Sequence, residues 1–256
     1  MLTSARLTLM HAIEPLSANA DMQTRSRATF LTLPMRDMLV LATFCLIIFP
    51  STGLAEQQVN NIQLASTLEP PRSRAANFGV VTPSADVRRL ADWVALHDDS
   101  KSATFIVIDK RSALLYLFNG HAQLLATSPV LLGSALGDDT VPGIGDRPIA
   151  LVRPEERTTP AGRFVAERGR NARGEDVVWV DYDAAVSMHR VVTSNAAERR
   201  LERLASPTAS DNRISYGCIN LPVAFYESHV KPAFASQSGV VYILPEKATI
   251  EQVFGW

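Results

Sequence analysis

Phe105-Ile106-Val107-Ile108-Asp109 and Ala113-Leu114-Leu115-Tyr116-Leu117-Phe118, joined at Lys110-Arg111-Ser112 and followed by Asn119-Gly120, decide the fold class. Both runs are short, apolar and rich in β-branched or aromatic residues, which marks strands. Asn-Gly supplies the positive backbone angles that a tight hairpin needs. A third strand is expected from Ala122 to Leu132, ending at Gly133. Further along, Gly162-Arg163-Phe164 opens a strand after the turn Thr158-Thr159-Pro160-Ala161, and Val177–Tyr182, Ala185–Val192 and Gly239–Leu244 continue the pattern. Upstream, Val87, Leu90, Ala91 and Val94 recur at helical spacing within Ala85–His97, which predicts one amphipathic packing helix. Asn195–Ala205 reads as a short helix whose arginines form a solvated face, and Pro222–His229 as a helix with proline in its first turn. The expected class is mostly β, with a few short helices.

The 256 residues are 46% hydrophobic and 20% charged, enough for one substantial core. Formal net charge is −1 and no long basic run occurs, so a nucleic-acid partner has no electrostatic support. Residues 1–55 read as a targeting segment. Arg25, Arg27 and Arg36 precede the apolar run Met38–Phe49, then come Pro50-Ser51-Thr52-Gly53-Leu54-Ala55, with cleavage expected after Ala55. Twelve apolar residues fall short of the roughly twenty that span a bilayer. A buried core helix and an uncleaved membrane tether are the alternatives; Met22 or Met35 could be the start. A lipid-modified Cys45 lacks the small residue expected before it. Residues 56–84, with Pro70, Pro71 and Pro83, read as a linker or loosely held arm, so 56–100 comprises linker and helix and 101–256 the main domain. The expected location is periplasmic or otherwise extracytoplasmic.

Cleavage after Ala55 would leave Cys218 as the lone thiol, either inert and buried or reactive. Its surroundings are Ile214-Ser215-Tyr216-Gly217-Cys218-Ile219-Asn220-Leu221-Pro222. Gly217 permits a tight turn, and a helix opening near Pro222 would favour the thiolate through its N-terminal dipole. The N–H groups of Gly217 and Cys218 could meet an oxyanion. A thiol nucleophile needs a base within reach, and His189, upstream on a strand, suits that role better than His97, His121 or His229. The competing reading of His189 is a core histidine satisfied by a backbone carbonyl. Asp138-Asp139 could hold a metal but reads more simply as a solvated pair, and Gly143-Ile144-Gly145 as a plain loop. No His/Cys/Asp cluster has ligand spacing, so neither a metal nor an organic cofactor is implied.

From Phe105 to the C-terminus the chain resembles the YkuD-type L,D-transpeptidase catalytic domain. The resemblance is carried by His189, by Ser215-Tyr216-Gly217-Cys218-Ile219-Asn220, and by Val107-Ile108-Asp109-Lys110, Leu115-Tyr116-Leu117-Phe118, Val130-Leu131-Leu132-Gly133 and Thr159-Pro160-Ala161-Gly162 in order. It implies a sandwich- or barrel-like β domain. It also implies a Cys218 nucleophile with His189 as base, Gly217 shaping the turn, and Ser215 or a carbonyl orienting His189. Peptidoglycan stem peptides would be the partner, met by Tyr216, Asn220 and Arg190. Three departures stand out: Tyr216 replaces the family's usual His, Arg190 stands where Gly is common, and residues 190–214 form a 25-residue insert expected to wall or cover the cleft. A hydrolase that only trims wall peptides, and a non-catalytic wall-binding domain, are the competing outcomes. A general cysteine protease lacks its local signatures.

Overall fold

The computed structural model describes residues 75–256. The expected targeting segment, and the linker before residue 75, lie outside the described residues. Among these residues no helix is long and apolar enough to cross a membrane.

Helix α1 (Ala85–His97) follows the predicted bounds. Ser84 caps it, accepting from the Val87 amide, and Asp98 ends it in the left-handed region. The four apolar positions that predicted the helix are the four it buries. The residues just before it are not a loose arm. Phe78 is buried, edge-on to Phe118 at 5.3 Å between ring centres, and Asn77 bridges to Gln123.

Strands β1 (Phe105–Asp109), β2 (Leu114–Phe118), β3 (Leu124–Pro129), β5 (Gly162–Arg170), β6 (Asp176–Asp181), β7 (Val186–Arg190), β9 (Ile219–Leu221) and β10 (Gly239–Ile243) form one eight-stranded sheet in the order β3-β2-β1-β10-β5-β6-β7-β9. Two short strands, β4 (Leu132–Gly133) and β8 (Arg213–Ser215), pair separately. The mostly-β class is as expected. The predicted third strand is interrupted: β3 stops at Pro129, and Val130 and Leu131 leave the ladder before β4. Proline cannot donate to a ladder, which suits it to a strand end.

Period-two alternation divides the strand residues between two cores. Phe105, Val107, Tyr116 and Tyr242 pack with α1, whereas Ile106, Ile108, Leu115 and Val241 face the opposite way. There they meet Val178, Val180, Val186, Met188, Ile219 and Leu221 from the other half of the sheet, in a sandwich-like arrangement. The insert forms a 3-10 turn (Ala196–Glu198) and then helix α2 (Arg200–Ala205), not the single helix expected, because Arg199 takes a left-handed conformation at φ 51°. Leu204 anchors it against Leu131 and Val191. Helix α3 begins at Val223–Phe225, widens into a π-helical turn over Tyr226–Val230 and closes at Lys231–Ala233. A last helix, α4 (Ile250–Phe254), carries a Thr249/Gln252 capping box.

Lys110, expected at a simple turn, is instead a buried anchor. Its ammonium donates to Asp138 at 2.8 Å and to the carbonyls of Gly137 and Thr159. Asp138, expected in a solvated or metal-binding pair, accepts the amides of Glu246, Lys247 and Ala248 as well. Glu246 in turn pairs with Arg213 and accepts the Gly137 amide at 2.8 Å. A buried cation needs such partners, because burial penalises charge.

Candidate active site

Strand β7 explains how His189 escapes the core. Val186 and Met188 point into the sandwich, so Ser187 and His189 share the opposite face. Strand β9 runs parallel to β7 with His189 opposite Asn220, which sets Cys218, just before β9, beside both Ser187 and His189. Cys218 is half-buried; its Sγ lies 3.8 Å from the Ser187 hydroxyl and donates to the Ala185 carbonyl at 3.5 Å.

His189 Nδ1 is 2.7 Å from the carbonyl of Arg190. A carbonyl only accepts, so the proton sits on Nδ1 and the lone pair of Nε2 is left for the thiol. Burial pushes the Cys218 thiol up, but the hydrogen bond and charge of His189, with the amide and hydroxyl of Ser187, outweigh it and hold the thiol below its ordinary value. Burial pulls His189 down, while Cys218 and the Arg190 carbonyl bring it above its ordinary value. The two shifts have the signs of a thiol–imidazole pair that exchanges a proton.

The expected helix-dipole contribution is not what the structure has. Strand β9 separates Cys218 from α3, and the effect of a dipole fades beyond the first turn. Ser215 does not orient His189 either. Its hydroxyl donates to the Cys218 carbonyl at 2.6 Å and accepts the Gly217 amide at 3.1 Å, so it closes the nucleophile turn. The Gly217 N–H is thereby taken, leaving the Cys218 N–H of the pair named for an oxyanion. Gly217 itself sits at φ 130°, and a Cβ there would stand 2.7 Å from the Thr158 carbonyl. The buried Thr159 hydroxyl donates to the Gly217 carbonyl at 2.8 Å and accepts the Gly133 amide, fixing the turn from below.

The thiol and imidazole open into a cleft of about 420 Å³, lined by Ile149, Trp179, Ser187, Tyr216, Asn220 and Arg200 among others. Tyr216 is on the rim, its ring beneath the Arg157 guanidinium at 4.0 Å. Asn220 is buried at the cleft floor. Arg190 is placed elsewhere. Its guanidinium pairs with Asp176 and Glu227 and covers the Tyr226 ring, so only its carbonyl serves the site. Arg200, read as part of a solvated face, lines the cleft. Ser187 was legible in principle, since the alternation that exposes His189 exposes its neighbour two residues before. Arg200 had no local signal. Among the described residues, no group of three or more His, Cys, Asp or Glu side chains could hold a metal ion.

No family model matches the chain, and no curated protein matches its sequence. Solved structures with a similar backbone are mostly L,D-transpeptidases. They include an L,D-transpeptidase from Mycobacterium tuberculosis H37Rv (13% identity, 55% of this chain and 57% of that chain, TM-score 0.34). The catalytic domain of the E. faecium L,D-transpeptidase is another (16% identity, 56% and 98%, TM-score 0.30). The helical cell shape determining protein Pgp2 from Campylobacter jejuni is a third (12% identity, 57% and 49%, TM-score 0.40). The chain spans about half of the length of Pgp2 and about three-fifths of an L,D-transpeptidase solved with imipenem.

Proposed function

We propose that the chain is an extracytoplasmic peptidoglycan L,D-transpeptidase, with residues 101–256 as its catalytic domain and residues 1–55 directing export. The observation that carries this reading is the pairing of Cys218 with His189, whose Nδ1–H is held by the Arg190 carbonyl. His189 Nε2 takes the thiol proton, and the Cys218 sulfur adds to the carbonyl carbon of the peptide bond after the diamino-acid residue of a stem peptide. Negative charge develops on that oxygen, where the Cys218 N–H is the available donor. The C–N bond breaks, His189 gives its proton to the leaving D-alanine amine, and a thioester remains. An amine of a second stem then attacks the thioester, loses its proton to His189 and releases the thiol as the cross-link forms.

Incubation with a defined tetrapeptide and an amine acceptor tests the outcome. A cross-linked product is expected by mass spectrometry. Release of tripeptide alone would assign the trimming hydrolase, in which water replaces the amine.

Tyr216 lines the cleft with its ring held under the Arg157 guanidinium at 4.0 Å. Tyr216→Phe is therefore expected to acylate within about tenfold of wild type, the limit set by one hydrogen bond of roughly 0.5–1.5 kcal/mol. Rates of adduct formation measure this; a loss of a thousandfold would give the phenol a direct part in the chemistry.

A further inference from the structure

Arg200 enters the cleft from the insert, and no step of the proposed mechanism uses it. Its side chain is only 11% exposed. Nη1 donates to Oδ1 of Asn220 at 2.6 Å, and Nε donates to Glu198. A guanidinium has no acceptor, so the oxygen of the Asn220 amide must face it. That turns Nδ2 toward the reacting pair, 3.3 Å from the Cys218 carbonyl and 3.5 Å from His189 Nε2. Asn220 is 1% exposed, and its backbone is clamped both ways to Leu131 at 2.9 Å. Flipping the amide is therefore its remaining freedom, and Arg200 removes it. A donor facing Nε2 complements the lone pair of a neutral imidazole and opposes an imidazolium N–H.

We propose that Arg200 is a positioning residue: it fixes the Asn220 amide with nitrogen toward His189 and so weights His189 toward the neutral, proton-accepting form. The inference rests on Cys218 and His189 being nucleophile and base. The charge of Arg200 works in the same direction, lowering His189 against the upward pull of Cys218. The other charged groups around the cleft are Glu198 on the insert and Arg173 and Glu175 on the β5–β6 turn, with Cys218 itself on the β9 side. Arg190, on the same strand as His189, turns its charge to Asp176 and Glu227.

Ring resonances of His189, followed by NMR against pH in the full chain without substrate, test the proposal. Arg200→Met should move the His189 midpoint upward, and Arg200→Lys, which keeps a charged donor, should bring it back toward wild type. Arg200→Gln gives the same comparison if Arg200→Met fails to fold. A midpoint that stays or falls in a folded variant lacking the charge overturns the proposal, as does an Arg200→Lys variant that behaves like Arg200→Met. Cys218→Ala in the same series checks the pairing beneath it. Loss of the thiol should lower the His189 midpoint, and a midpoint that does not fall rejects the nucleophile–base pair independently of Arg200.

Discussion

Asp138→Asn is expected to destabilise the fold by about 3–5 kcal/mol, the usual cost of breaking a buried ion pair by removing one partner. Lys110, with a side chain 0% exposed, would lose its nearer carboxylate, itself 7% exposed, and keep only Glu246 at 3.8 Å. Three amides of the Glu246–Ala248 turn would also lose an ionic acceptor. At this size the melting temperature should fall by roughly 6–20 °C, measured by thermal unfolding at neutral pH. Replacing both partners with apolar residues should recover only part of the loss, because the three amides stay unsatisfied. A melting temperature unchanged by Asp138→Asn would contradict the account of this anchor.

The same pair sets a pH dependence. Burial pushes the Asp138 carboxyl up, but the Lys110 ammonium and the three amides hold it well below the usual carboxylate range. A depressed carboxyl contributes its full stability above its unfolded value, about 3.9. That contribution declines as pH falls below about 4 and is gone only beneath the folded value. The gap between wild type and Asp138→Asn should therefore be widest near neutrality and narrow in acid. The anchor also reaches the site: Lys110 holds the Thr159 carbonyl, and the Thr159 hydroxyl holds the Gly217 carbonyl next to Cys218.

Local pattern carried α1, β1, β2 and β10 because each buries its own apolar periodicity. It also singled out Cys218, from a Gly-Cys turn, and His189, from its strand, which the parallel pairing of β7 and β9 brings together. What it could not show depends on residues far apart in the chain. Lys110 and Asp138 are 28 positions apart, and Arg200 meets Asn220 across 20. A lysine in a turn and an arginine in a polar helix look solvated until the partner segments arrive. The helix-dipole account of Cys218 failed for a related reason. A three-residue strand such as β9 has too few positions to show alternation, and its pairing with β7 is set by a segment 31 residues away. Arg190 looked available to a substrate because Asp176 and Glu227, which hold it, lie on other elements.

The second large effect concerns the thiol. Cys218→Ala should abolish acylation, because no other described cysteine exists and the Ser187 hydroxyl beside it lacks a lowered-pKa sulfur's nucleophilicity. His189→Ala should slow acylation by about 10²–10⁴-fold, the range for losing a positioned base. It should also raise the pH midpoint of Cys218 alkylation, since His189 is what lowers the thiol. Intact-protein mass after exposure to a carbapenem tests the assignment most directly. Wild type should gain a single adduct and Cys218→Ala none. A folded wild type that remains unmodified, or an adduct that persists in Cys218→Ala, would contradict it.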